Sequence, residues 1–179
     1  MTQVANTYAE GLYALAQEEG LQKQLLDELS VLRQAVDQEP GYIRLLSAPN
    51  LSKAERCQIL DDGFRGNVHP YVLNFMKILT EKGYMRHFVD CCDAYRQQYN
   101  LEHGILSVRA VSAVALSEEQ AQKLTAKLEK VTGKTVELSC RVDPAVLGGM
   151  RLDYDGKRVD GTVANRLDTI SNMLKNTVL

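Results

Sequence analysis

The hydrophobic pattern of this chain changes its period close to residue 104, and that change limits the folds open to it. Before this point, apolar residues recur every three or four positions, which is the spacing of one face of an α-helix. After it, they alternate with polar residues, which is the spacing of one face of a β-strand. We therefore expect a helical part followed by a part that contains a sheet.

The first part is predicted to form a bundle of five to six short helices. Ser52 and Glu55 make the capping pattern of a helix start, Gly63 and Gly66 are expected to close that helix, and Gly83 to end a later one. Three further helices are indicated by residues at helical spacing. These are Val4, Tyr8, Leu12 and Leu15, then Leu25, Leu29, Leu32 and Val36, and finally Phe88, Cys92, Tyr95 and Tyr99.

The second part is predicted to be a small α/β domain with a mixed four-stranded sheet and two helices. Ser117 and Gln120 make a second capping pattern, and Gly133 suits the end of that helix. A tight turn at 155–156 is expected to join the last two strands. The strand positions are Leu106, Val108 and Ala110, then Val136, Leu138, Cys140 and Val142, then Met150, Leu152 and Tyr154, and finally Val159. The helix positions are Ala121, Leu124, Leu128 and Val131, and then Val163, Leu167, Ile170 and Leu174. The predicted fold is thus α+β, with domains at 1–104 and 105–179.

Charge and composition exclude several classes of protein. The net charge is only −2 and the pI about 5.9, so the chain has no general attraction to nucleic acid or to an anionic membrane surface. The longest apolar-rich stretch is interrupted by Asn74, Lys77 and Thr80, and no membrane span is predicted. The four cysteines form no C-x-x-C pair and no secretory signal precedes them, which favours a reducing compartment such as the bacterial cytoplasm.

Enzymatic chemistry is not indicated by any motif. A phosphate-binding loop requires Gly-Lys followed by Ser or Thr, but Gly156-Lys157 is followed by Arg158. His87 and Cys91 are four residues apart and could lie on one face of a helix. Two ligands are too few for a closed metal site, which needs four. We expect no catalytic residues, no metal and no cofactor. One alternative is a small RNA-binding or adaptor protein. It rests on five basic residues that acidic residues interrupt, namely Arg141, Arg151, Lys157, Arg158 and Arg166.

Four local motifs, taken in order, resemble the family of ATP synthase delta subunits, which includes the mitochondrial oligomycin-sensitivity-conferring protein. They are Ala5-Asn-Thr-Tyr8-Ala9, then Asn74-Phe-Met-Lys-Ile78-Leu79-Thr-Glu-Lys-Gly83, then Val111-Ser112-Ala113 with Leu116-Ser117, and a C-terminal series. That series is Val142-Asp143-Pro144, Leu147-Gly148-Gly149 and Val159-Asp160-Gly161-Thr162-Val163 with Arg166-Leu167. The resemblance covers nearly the whole chain. The family often has Arg where this chain has Tyr84, and Ser where it has Thr162.

The resemblance implies a non-catalytic stator role in proton-coupled ATP synthesis. In that family the N-terminal domain binds the N-terminal helix of an alpha subunit in the catalytic head. The C-terminal domain binds the C-terminus of the b subunits in the peripheral stalk. The chain would then lie at the cytoplasmic face of the bacterial cell membrane, as a peripheral protein that reaches the membrane only through the complex. Nucleic acid is not an expected partner.

The helix that contains residues 71–80 supplies an independent reason to expect a partner. Its apolar residues cover an arc of about 220°, which is wider than one buried face requires, so the helix is either buried all round or shared between its own core and a partner. With the first helix, it is predicted to form a groove for an amphipathic helix of the partner. The residues predicted to line this groove are Tyr8, Leu12, Phe75, Ile78 and Leu79.

Overall fold

A computed structural model of the chain describes residues 2–39, 41–48, 50–146, 148–154 and 156–161. The chain divides into two compact units, Met1–Tyr99 and Asn100–Leu179. The division falls near the end of a helix that continues to Glu102, so the boundary predicted after residue 104 lies a few residues further along. The predicted final helix, at Val163 to Leu174, and the turn residue Asp155 lie outside the described residues.

The first unit is helical, as predicted. Its elements are α1 (Gln3–Glu18), α2 (Gln22–Gln38), α3 (Gly41–Leu46), α4 (Lys53–Phe64), α5 (Pro70–Glu81), a 3-10 turn (Met85–His87) and α6 (Phe88–Glu102). Ser52 caps α4 as expected, because its hydroxyl accepts from the Glu55 amide and the Glu55 carboxylate accepts from the Ser52 amide. Gly83, with φ of 75°, follows the end of α5. Gly63 was expected to close α4, but it lies inside the helix, and Gly66 with φ of 84° follows it.

All six helices contribute fully or almost fully buried side chains to one core. Examples, in helix order, are Leu12, Leu29, Leu46, Leu60, Leu79 and Tyr95. The Tyr95 ring meets the edge of Tyr13 at 5.1 Å between centroids, and its hydroxyl donates to the Gln22 carbonyl at 3.2 Å. A paired hydrogen bond from Arg33 to Asp93 adds a polar link between α2 and α6. The burial of one apolar face from each helix stabilises the bundle.

The second unit contains β1 (Ile105–Ser112), α7 (Glu118–Thr132), β2 (Thr135–Val142), β3 (Met150–Tyr154) and β4 (Lys157–Asp160). The strand order is β2-β1-β3-β4. β1 and β2 are parallel because α7 connects them, whereas β3 runs antiparallel to both β1 and β4. The sheet is therefore mixed and four-stranded, as predicted.

The core of the second unit is small and lies between the sheet and α7. Leu106, Val108 and Val136 are buried, and Leu128 of α7 packs against them. The Glu129 carboxylate also accepts from the Val136 amide at 3.1 Å. Val131, predicted to belong to the packed stripe of α7, is 84% exposed, and Cys140 and Val142 are exposed on β2. The contact with α7 is thus made near the start of β2 and not along its whole length.

Candidate partner-binding surface

The predicted partner-binding surface belongs to the helical unit and takes its residues from α1 and α5. α1 turns Ala5, Ala9 and Ala16 into the core together with Leu12 and Tyr13. Small residues at three of these positions allow the helix to approach its neighbours closely. Tyr8, Gly11 and Leu15 lie beside this buried face, three and four residues apart, and therefore share one side of the helix.

α5 buries one face and leaves another at the surface. Its buried residues are Val72, Phe75, Met76, Leu79 and Thr80. Tyr71 and Leu73 are half-buried on its flanks, and Ile78 is 36% exposed. The wide apolar arc thus consists of a buried face, two half-buried flanks and one exposed isoleucine.

The five predicted groove residues do not share one environment. Leu12, Phe75 and Leu79 are only 4%, 6% and 0% exposed, and they belong to the core of the bundle. Tyr8 is half-buried against that core, and Ile78 is at the surface. Of the five, Tyr8 and Ile78 are the residues with side-chain surface accessible to solvent. Partner binding by all five stays a prediction.

Tyr84 connects α1 to the end of α5. The Tyr84 amide donates to the Leu79 carbonyl at 2.7 Å, which folds the chain back after Gly83. The Tyr84 ring lies 5.9 Å from the Tyr8 ring, between centroids, and 6.3 Å from the ring of His87. These rings form an aromatic row at this end of α5. Aromatic side chains supply a large contact area at low cost in conformational entropy, which suits a binding surface.

Two surface residues were not among the five predicted ones. Leu15 is 49% exposed on the Tyr8 side of α1, and Tyr84 is half-buried beside Tyr8. Leu15 could have been found from its seven-residue spacing from Tyr8, which places both on one side of the helix. Tyr84 lies beyond the helix end, and no periodic pattern reaches it.

A cleft of about 330 Å³ opens between α4 and α5. An ion pair occupies its wall, because Lys77 Nζ lies 2.6 Å from Asp61 Oδ2 and Arg65 Nη2 lies 3.0 Å from Asp61 Oδ1. Hydrogen bonding from Lys77, and then from Arg65, lowers the pKa of the Asp61 carboxyl. The carboxylate is therefore charged and paired at neutral pH, which suits a structural role better than acid-base chemistry.

The residues that the structure describes include neither a cluster of metal ligands nor a membrane-spanning helix. In that part of the chain, no three His, Cys, Asp or Glu side chains come together as a metal site would require. None of the described helices is long and apolar enough to cross a membrane.

Comparisons with known proteins agree with this architecture. A family model described as ATP synthase delta (OSCP) subunit matches residues 4–174. The chain is 31% identical over 176 residues to the ATP synthase subunit delta of Alkaliphilus oremlandii, covering 98% of each chain. It is 32% identical over 174 residues to that of Gloeobacter violaceus, covering 96% of this chain and 94% of the relative.

One solved structure shares the fold over almost the full length. It is a chain of the Toxoplasma gondii mitochondrial ATP synthase hexamer, with a TM-score of 0.81 and 18% identity. The match covers 97% of this chain and 98% of that chain.

Proposed function

Because the chain belongs to the ATP synthase delta (OSCP) subunit family, we propose that it is a non-catalytic stator subunit of an F-type ATP synthase. In this role it joins the catalytic head to the peripheral stalk and resists the torque of the rotating central stalk. The observation that carries the proposal is the family match, which spans both structural units. A protein that bound only the head or only the stalk would need only one of these two units.

The helical unit would bind the N-terminal helix of an alpha subunit through the α1 and α5 surface. Half-buried Tyr8 and exposed Ile78 provide apolar contact area, with Leu15 and Tyr84 beside Tyr8. An amphipathic helix would bury its apolar face there, which removes apolar area from water on both sides. Leu12, Phe75 and Leu79 would support this surface from beneath and line it directly only if the groove opens on binding.

The second unit would bind the C-terminus of the b subunits. The division of labour between 1–104 and 105–179 is part of this proposal. The protein would then be held at the cytoplasmic face of the bacterial membrane through the complex, as a peripheral subunit. It would carry out no reaction of its own, and the proton-coupled chemistry would belong to the other subunits.

The test is whether the full-length chain binds both partners at once. It is titrated with a synthetic alpha N-terminal peptide and with a soluble b C-terminal segment, first separately and then with one partner already saturating. We expect each partner to bind with nearly the same affinity whether or not the other is present. Competition between them would contradict a linking role, and so would ATP hydrolysis that persists through purification to homogeneity.

A further inference from the structure

The sheet of the second unit has one face that α7 does not cover. Side chains alternate between the two faces of a strand. Leu106, Val108 and Val136 point to the α7 side, where Leu128 packs on them. The odd-numbered residues of β1, β2 and β3 therefore lie on the opposite face, and the strand register brings the even-numbered residues of β4 to that same face.

Four arginines share this opposite face, which we call the arginine face; they are Arg109, Arg141, Arg151 and Arg158. Strand register places them in two neighbouring rows across the sheet. One row reads Ser139, Arg109, Asp153 and Arg158, and the next reads Arg141, Val111, Arg151 and Asp160. Val111 is only 2% exposed, although its neighbours across the sheet are two arginines. Their aliphatic stems are suited to cover it while the guanidinium groups reach outward.

The positive charge on this face is only partly compensated. Arg158 Nε donates to Asp153 Oδ1 at 2.8 Å, and Arg151 Nε lies 3.5 Å from the other oxygen of the same carboxylate. Asp153 is therefore shared between two arginines. Arg109 and Arg141 are exposed, and neither side chain forms a hydrogen bond or ion pair with any other residue that the structure describes.

Arg151 is already engaged on this face. Its Nε lies 3.5 Å from Asp153 Oδ2, so its charge is shared with that carboxylate. A guanidinium without such a partner is shaped to pair with a carboxylate through two parallel hydrogen bonds. The two uncompensated guanidinium groups are those of Arg109 on β1 and Arg141 on β2, which lie diagonally across neighbouring strands.

We propose that the arginine face binds an acidic segment of a partner polypeptide, with carboxylates of that segment paired to Arg109 and Arg141. Resting on the proposed function, this assigns the contact with the peripheral stalk to one face of one sheet. Nucleic acid is a poorer match, because Glu137, Asp153 and Asp160 on the same face would repel a continuous row of phosphates. A peptide carries separate charges that can fit between these three carboxylates.

The experiment uses the full-length chain and the C-terminal segment of the b subunit from the same cell. The test variant is Arg109→Glu with Arg141→Glu. The matched control is Lys127→Glu with Lys130→Glu on α7, where both lysines are exposed and the change in net charge is the same. Binding is measured by calorimetry at low and high salt, and the alpha N-terminal peptide reports whether the helical unit is intact.

We expect the arginine variant to lose about tenfold in affinity at low salt, because two attractive pairs become repulsive, and to show a weaker salt dependence. The lysine control should bind within about twofold of the wild type, because α7 faces away from the contact. A b segment with its Asp and Glu residues changed to Asn and Gln should bind the wild-type chain more weakly, by the same factor as the unchanged segment binds the arginine variant more weakly.

Three results would overturn the proposal, and they are distinguishable. Normal binding of the b segment by the arginine variant would contradict the proposed role of the arginine face but not the stator function. A wild-type chain that does not bind the b segment at all would contradict both proposals. Salt-sensitive binding of a single-stranded RNA oligonucleotide that is lost only in the arginine variant, with stalk binding unchanged, would assign the face to nucleic acid instead.

Discussion

Lys77 of α5 and Asp61 of α4 form an ion pair of 2.6 Å whose side chains are only 25% and 13% exposed. Water reaches both side chains of this pair poorly, and the pair joins two consecutive helices. Two other ion pairs of the same unit, Lys23–Asp27 and Arg33–Asp37, lie within α2 and have more exposed carboxylates. The Asp61 pair is therefore expected to matter more for stability than these.

The Asp61 pair should contribute stability at neutral pH and lose it in acid. Hydrogen bonding from Lys77 holds the pKa of Asp61 in the folded protein below its ordinary value of 3.8. Protons therefore bind the unfolded chain more readily, and the contribution disappears as the pH falls from about 4 through the folded pKa. Urea unfolding should show that Asp61→Asn is less stable than the wild type at pH 7, with a difference that shrinks below pH 4.

Asp27→Asn is the matched control for that series. It removes a carboxylate of the same type from an exposed pair, Lys23–Asp27, and should change the free energy of unfolding by less than about 0.5 kcal/mol at either pH. Equal effects of the two substitutions would show that the partial burial of Asp61 has no energetic consequence.

Neighbouring residues on α5 should respond in opposite ways to a new charge. Leu79 is fully buried, so Leu79→Asp should destabilise the helical unit by about 4 kcal/mol or more, because the charge has no partner. Ile78 is 36% exposed, so Ile78→Asp should change stability by less than about 1 kcal/mol. If Ile78 contacts the N-terminal helix of the alpha subunit, the same variant should weaken binding of the alpha-subunit peptide by about 2 kcal/mol.

Val31→Asp on α2 is the control for Ile78→Asp. Val31 is an exposed β-branched residue of the same unit, at 67% exposure, and lies outside the proposed surface. It should change neither stability nor peptide binding. A large decrease in the melting temperature of Ile78→Asp, with normal peptide binding by the fraction that stays folded, would show that Ile78 does not belong to the proposed binding surface.

The four thiols should differ widely in reactivity. Burial, with a smaller effect of Asp90, raises the pKa of Cys91 to about 12, and burial raises the pKa of Cys92 as well. Cys57 is half-buried, and its pKa is raised by burial and then by Glu81, whose Oε1 lies 3.8 Å from Sγ. Cys140 is exposed. Because the thiolate is the reactive form, iodoacetamide at pH 8 should modify Cys140 first, Cys57 more slowly, and Cys91 and Cys92 only after unfolding.

Peptide mapping by mass spectrometry gives the order, with the protein in guanidinium chloride as the control in which all four thiols react. Early modification of Cys92 in buffer would mean that α6 separates from the core far more often than its burial implies.

Limited proteolysis should separate the two units after α6. Leu101 is 70% exposed, Glu102 and His103 are also exposed, and Gly104 turns the chain into β1 with φ of 62°. Thermolysin and a glutamate-specific protease should cut between about residues 100 and 105 and leave the helical fragment folded. Circular dichroism and thermal unfolding of the fragment check the second point. First cuts at other positions, or a fragment that unfolds on release, would contradict two independently stable domains.

Local chemistry made several elements predictable from the sequence. Ser52 and Ser117 each accept a hydrogen bond from the amide three residues later, at 3.2 Å, and each begins the helix predicted from it. Gly133, with φ of 67°, ends α7 where expected. These contacts join residues that are neighbours in the chain, so the pattern contains everything that decides them.

Packing between distant parts of the chain decided the rest. Ile78 and Leu79 are both apolar and both fall within the wide apolar arc of α5. Only the packing of the neighbouring helices determines that Leu79 is buried and Ile78 is not. In the same way, alternation places Arg109 and Arg141 on one face of their strands. Only the pairing of β1 with β2, through the crossover by α7, makes them neighbours. A periodic pattern records which residues share a face, whereas burial and adjacency depend on which other element comes to cover it.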